Sequence, residues 1–205
     1  MRPDSGNEYG DAIVPRLEAL DRALGPHAEY LVSPIPFWLG GRATIASFPD
    51  AIPNAVVYCT SEMTGWDSGQ QHGDGDPFEF AIAVPNESPL RPSDEGNSLA
   101  RKGWIGSLLS GMASFSTDAL VLHAETAGPL DADLAPMTRL LFTEFTQMKS
   151  PFCYKGCSYG IRLMTLITES EFEFAVKAES VPLLIDKLRE RNPYLISDLH
   201  RTPIA

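Results

Sequence analysis

Gly156-Cys157-Ser158-Tyr159-Gly160 has the G-x-S-x-G spacing of a nucleophile elbow. In such an elbow a serine hydroxyl is exposed on a sharp strand-to-helix turn and attacks a carbonyl carbon. Asp186 or Asp198, and then His200, follow Ser158 in the order in which α/β-hydrolases supply acid and base. Cys157 with His200 would serve related chemistry as a thiolate. The flanking pattern does not supply the elements an elbow needs. Upstream, Lys149-Ser150-Pro151-Phe152-Cys153-Tyr154-Lys155 does not read as a buried strand. Downstream, Ile161-Arg162-Leu163-Met164 reads as a strand, not a helix. The 47 residues after Ser158 are too few to complete a doubly wound sheet. The expectation is a glycine-rich connection between two strands and no catalytic activity. A serine or cysteine hydrolase built on Ser158 or Cys157 with His200 is the rival reading.

Other reactive side chains are scattered. Cys59, Cys153 and Cys157 are too few, and odd in number, for a disulfide framework. Cys153 and Cys157 lie four apart, but a structural zinc site needs a second ligand pair, and Cys59 sits inside an apolar run. His27, His72, His123 and His200 form no H-x-x-x-H or H-E-x-x-H pattern. His72 with Asp74 and Asp76 reads as a solvated loop. Glu169, Glu171 and Glu173 stand where a helix dipole favours acids. No glycine loop suited to phosphates and no dinucleotide fingerprint is present, so neither a metal nor a cofactor is expected. Trp66, between Gly65 and Asp67, is the tryptophan best placed to touch a ligand.

Composition narrows the partners. The 205 residues carry 16 Lys+Arg against 27 Asp+Glu, a net charge of -11. That sign disfavours a nucleic-acid backbone and an anionic membrane surface. A mean hydropathy of -0.10, with 43% hydrophobic residues, excludes both a membrane protein and a disordered one. No apolar run approaches the ~20 residues of a membrane span. No leader is legible at Met1-Arg2-Pro3-Asp4-Ser5-Gly6, and the expected compartment is the cytoplasm.

The elements that must position these residues follow from periodicity and breakers. Ala12, Leu17, Leu20 and Leu24 predict a helix over about 11–24, with Pro15 in its first turn and Gly25-Pro26 ending it. Residues 29–32, 43–48, 55–60, 78–84, 119–124 and 161–167 read as strands, and Leu140, Phe142 and Phe145 mark another. Val56-Val57-Tyr58-Cys59 suits a strand buried on both faces. Leu99, Trp104, Leu108, Leu109 and Met112 predict a helix over 98–114. Thr168 with Glu171 forms a capping box opening a helix over about 169–178. Ser180 caps a further helix, with Pro182 in its first turn and Leu184 and Leu188 on its apolar face. The pattern is α+β: a mixed, largely antiparallel sheet flanked by helices. One compact unit is expected, with a lead-in and helix over 1–29 and the main domain over 30–205.

Ordered along the chain, several of these segments resemble the suppressor-of-fused domain. Ala55 to Met63, a loop, and Phe78-Glu79-Phe80-Ala81-Ile82-Ala83-Val84-Pro85 are similar to that family's strand, Gly/Asp loop and "FEL"-type strand. Trp104 to Phe115 resembles its helix, which opens with Trp and closes on a "LARY"-like turn. Leu122-His123-Ala124-Glu125 with Gly128-Pro129-Leu130-Asp131 is similar to a "GDH…PL" segment, and Leu140 to Glu144 to a strand ending in an acid. Gly160 to Glu171, then Leu195-Ile196-Ser197-Asp198-Leu199-His200-Arg201, resemble the Gly-led strand, the "I-T-E-E" helix start and the closing "LITD-x-x-R". The resemblance covers roughly 30–202.

Two departures stand out. Leu122 occupies the acid position before His123, and Phe115 lacks the hydroxyl of the family's aromatic. The resemblance implies partner contact near Phe115, His123 and Glu125, to which the sequence adds Trp66. It also implies a non-catalytic protein-binding domain. A stand-alone domain of this length resembles bacterial members, among them immunity proteins that mask toxins. The expected partner is then a protein or peptide, basic and toxin-like to match the acidic chain. A second rival is a module binding a small molecule in a cleft.

Overall fold

The computed structural model describes residues 8–32, 43–63, 78–86, 103–114, 136–178 and 180–204. The first helix, α1 (Glu8–Leu24), begins three residues before the periodicity predicted. Pro15 therefore lies inside the helix, not in its first turn. There it leaves one i−4 hydrogen bond unmade. The helix survives because Ile13, Leu17, Leu20 and Leu24 form one buried stripe. Gly25 ends it at φ +102°, a left-handed conformation that side chains disfavour. Its N–H donates to the Asp21 carbonyl at 2.9 Å.

Seven strands follow among the described residues: β1 (Glu29–Leu31), β2 (Ile45–Ile52), β3 (Ala55–Thr60), β4 (Phe78–Pro85), β5 (Met137–Glu144), β6 (Phe152–Tyr154) and β7 (Cys157–Thr168). Their order is β1-β2-β3-β4-β7-β5, with β6 also paired to β7. The β4–β7 pair is parallel, from Phe78 opposite Gly160 to Ile82 opposite Met164. All the other pairs are antiparallel. The sheet is thus mixed and largely antiparallel, as the sequence predicts.

Two predicted boundaries move. Pro49-Asp50 does not end β2; the strand continues through a register shift between Phe48 and Ile52. A bulge is where a strand tolerates a residue without a donor. The segment 149–155, which reads as irregular, contains β6, and Phe152 in it is buried. Lys155 and Gly156 join β6 to β7 with φ of 47° and 79°. Two consecutive positive φ values are the mark of a tight hairpin turn matched to strand twist.

The other helices among the described residues are α2 (Gly103–Ser114), α3 (Glu169–Lys177) and α4 (Val181–Arg191). Both caps of the last two are as predicted. Thr168 and Glu171 bond each other's backbone N–H in a reciprocal box, and Ser180 accepts from Leu183 N. Helices cover both faces of the sheet. On one face α1, α3 and α4 close over Phe48, Val57, Cys59, Ala81, Ala83 and Leu163. On the other, Ile105, Leu109 and Met112 of α2 pack with Tyr58, Phe80, Ile82, Met164 and Leu166. Alternate residues of β3, β4 and β7 enter opposite cores, as the apolar run Val56–Cys59 predicts. The predicted strand over 119–124 lies outside the described residues.

Candidate functional site

The elbow geometry is absent. Cys157 and Ser158 open β7 and pair with Tyr154 and Cys153 of the same hairpin. The chain runs on as strand to Thr168, so no helix N-terminus stands behind the serine. His200 belongs to the C-terminal segment, where its neighbour Arg201 donates from Nη2 to the Leu166 carbonyl at 3.1 Å. Leu166 lies eight strand residues beyond Ser158, on the order of 26 Å at ~3.3 Å per residue. A nucleophile and its base must be within hydrogen-bond reach. Asp198 accepts from the backbone N–H of His200 at 2.8 Å. The hairpin and the C-terminal segment thus keep Ser158 and Cys157 apart from His200.

The thiols are equally separated. Cys153 is opposite Ser158, and Tyr154 opposite Cys157. Neighbouring positions on a strand point to opposite faces, so Cys153 and Cys157 cannot share a metal or a disulfide. Cys59 is buried in β3, and burial pushes its thiol well above the ordinary value, with the charge of Glu79 adding to the shift. Among the described residues no group of three or more His, Cys, Asp or Glu could hold a metal. The acids at the start of α3 are structural. Glu169 takes a two-pronged contact from Arg139 at 2.9 Å, Glu171 holds Arg201, and Glu173 faces Lys177.

Of the residues assigned to partner contact, Trp66, Phe115, His123 and Glu125 lie outside the described residues, as do His72, Asp74 and Asp76. The frame that leads to them is described. Ser114 ends α2 immediately before Phe115, and the buried face of α2 fixes that exit. Met63 stands three residues before Trp66. Its N–H donates to both Glu79 oxygens at 3.1 and 3.2 Å, and Thr60 Oγ1 donates to Glu79 Oε2 at 2.6 Å. Glu62 accepts from Thr44 N, and Arg16 Nη1 donates to the Ser61 carbonyl at 3.0 Å. Arg16, Glu62 and Glu79 are all fully buried.

Charged groups survive burial only when hydrogen bonds replace their water. This network therefore locks the end of β3 against β2, β4 and α1. Sequence reasoning missed all three residues. The available signal was an acid within each of two otherwise apolar runs, Ser61-Glu62-Met63 and Phe78-Glu79-Phe80.

The opposite end of the strands is closed by residues 192–204. Arg201 meets Glu171 through two nitrogens, and Ile204 N also donates to Glu171 at 3.1 Å. Ser197 N donates to the Ala83 carbonyl at 2.7 Å, and Ser197 Oγ accepts from Leu166 N at 3.0 Å. A cavity of about 290 Å³ lies between this segment, α4 and the ends of β2 and β4.

No family model matches the chain, and no curated protein does. Solved structures do. A chain of the Sufu-Fu complex crystal structure superposes with a TM-score of 0.67 at 14% identity, covering 95% of this chain and 91% of that one. Drosophila Suppressor of Fused superposes with a TM-score of 0.58 at 13% identity, covering 85% of this chain. This chain spans 46% of the Drosophila protein's length. The fold is therefore suppressor-of-fused-like, as the ordered motifs predict.

Proposed function

We propose that this chain is a non-catalytic protein-binding domain that masks a basic peptide or toxin surface, as an immunity protein does inside the bacterial cytoplasm. The observation that carries the reading is the similarity, over 95% of the chain, to a protein crystallised as the Sufu-Fu complex. Two further features support it. The separation of Ser158 and Cys157 from His200 removes the hydrolase constellation that the sequence offered. The net charge of -11 steers encounter toward a basic partner. Phe115, His123, Glu125 and Trp66 are the contact residues of this proposal. Phe115 supplies apolar area and Glu125 a charge complementary to a basic segment. His123 makes binding respond to pH near ~6.5.

The test is calorimetric titration of the full chain against the product of the neighbouring gene. Wild type should bind, Glu125→Lys and Phe115→Ala should bind more weakly, and all three should melt alike. Unaltered affinity in both variants places the binding surface elsewhere. Fluorophosphonate labelling that disappears in Ser158→Ala would overturn the non-catalytic reading.

A further inference from the structure

The cavity at the C-terminal end of the domain has its own chemistry. Its apolar wall is formed by Leu188, Ile196 and Ile204. Its polar wall holds Arg191, Asp198 and Arg201 among other groups. The roles of these polar groups differ. Arg201 is committed to Glu171 through two nitrogens, so its charge is neutralised within the fold. Asn192, also in the lining, spends its amide on both backbone groups of Ile196, at 2.7 and 2.9 Å. Arg191 is exposed in the last turn of α4 and makes no hydrogen bond or ion pair with the described residues. Asp198 uses one carboxylate oxygen on the His200 N–H and has no ion pair among them. Among the described residues the cavity thus offers one uncommitted cation, one carboxylate without a counter-ion, and an aliphatic wall.

A volume of about 290 Å³ is close to the ~300 Å³ lower bound of small-molecule pockets. It suits a body of a few carbons with two small polar ends, not a drug-sized ligand. With one cation and one carboxylate on its wall, the cavity pairs a ligand that carries both charges better than one that carries a single charge. The carbonyls that end α4 also oppose a carboxylate, which leaves its recognition to Arg191.

We propose that this cavity binds a small zwitterion with an aliphatic body, the class of the free apolar α-amino acids. The carboxylate pairs with Arg191, the ammonium with Asp198, and the aliphatic side chain lies on Leu188, Ile196 and Ile204.

The experiment is a backbone amide NMR titration of the full chain with L-leucine, beside N-acetyl-leucine and leucine amide, which each lack one charge. Leucine should move the amides of Asn54, Thr202 and Ile204 in a saturable way, and each single-charge analogue should bind about tenfold more weakly or less. Arg191→Ala should weaken leucine by a similar factor. Asp198→Asn, which keeps the acceptor for His200 N, should weaken leucine and leucine amide, which carry the ammonium, and spare N-acetyl-leucine; Arg191→Ala should instead spare leucine amide. No saturable shift at those amides up to 20-fold above ~1 mM, the upper end of ordinary small-molecule working concentrations, would overturn the proposal. Equal binding of leucine and N-acetyl-leucine would also overturn it, as would full binding by Arg191→Ala. Toxin-type partner binding is read in a separate titration, so either proposal can fail alone.

Discussion

Replacing Glu171 by alanine tests the claim that the C-terminal segment is held by a buried ion pair. Glu171 is fully buried, yet its carboxylate accepts from Thr168 N at 2.9 Å, from Ile204 N at 3.1 Å and from two nitrogens of Arg201. Arg201 is itself only 12% exposed. Removing one member of such a pair leaves the other charge buried without a counter-ion, which costs about 3–5 kcal/mol. A domain is stable by ~5–15 kcal/mol, so Glu171→Ala should remove a large share. The melting temperature should fall by roughly 6–20 °C, at ~2–4 °C per kcal/mol for a domain of this size. Urea unfolding followed by far-UV circular dichroism at pH 7 reads the free energy directly.

The same residue sets an acid dependence. Burial pushes the Glu171 carboxyl up, but the hydrogen bonds from Arg201, Thr168 and Ile204 and the Arg201 charge outweigh it and leave it below the ordinary value. A folded value below the unfolded ~4.3 means that the unfolded chain takes up the proton first. The stabilisation is complete above pH ~4.3 and fades as pH falls toward the folded value. Glu171→Gln should therefore flatten the stability profile below pH ~4.3. A Glu171→Ala change under about 1 kcal/mol, with an unchanged denaturant slope, would refute the reasoning.

Three further outcomes follow from packing and chain geometry. Leu188 is 2% exposed, and Leu188→Ala should destabilise by ~2–5 kcal/mol in the same unfolding assay. Gly25→Ala should destabilise by at least ~1 kcal/mol, because φ is +102°, a conformation that an alanine adopts only with strain. Iodoacetamide should add two groups to the native chain, at exposed Cys153 and Cys157, and a third at Cys59 only in denaturant, as read by mass spectrometry.

What the sequence made legible was local. The Thr168–Glu171 box and the Ser180 cap each lie within a few residues, and a few residues determine them. The continuous apolar runs Val56–Cys59 in β3 and Phe80–Val84 in β4 mark strands buried on both faces, because a strand with one buried face would alternate apolar with polar residues. The parallel β4–β7 pair is not legible, since its partners are about 80 residues apart and nothing in either segment encodes the other. β6 escapes because three residues are too few to show a period, and its burial depends on Tyr159 and α1 across the hairpin. Arg16, Glu62 and Glu79 escape for a different reason. A charged residue reads as surface unless its partners are known, and those partners include backbone groups supplied only by tertiary structure. The contact residues Trp66, Phe115, His123 and Glu125 came from loop position and family resemblance, which locate a residue along the chain without giving its geometry.

A sheet covered by helices on both faces has a consequence for recognition. Its central strands cannot present a face to a ligand, because Val57, Cys59, Ala81 and Ala83 are spent on one core and Tyr58, Phe80 and Ile82 on the other. Binding is then left to strand ends, edges and connections. At one end the chain leaves β3 through a buried network of Arg16, Glu62 and Glu79 that holds Met63, three residues before Trp66. At the other, Glu171 and Arg201 fix the segment that walls the cavity. Buried ionic groups are a poor way to gain stability against apolar packing, since desolvation offsets most of the attraction. Their directional hydrogen bonds do hold backbone in one place, and both networks stand where a fixed backbone would serve a binding surface. Replacing Glu79 by glutamine, which keeps the shape but weakens the hold on Met63, separates the two roles. If the network positions the Trp66 segment, partner affinity should fall by more than the loss of stability alone would produce.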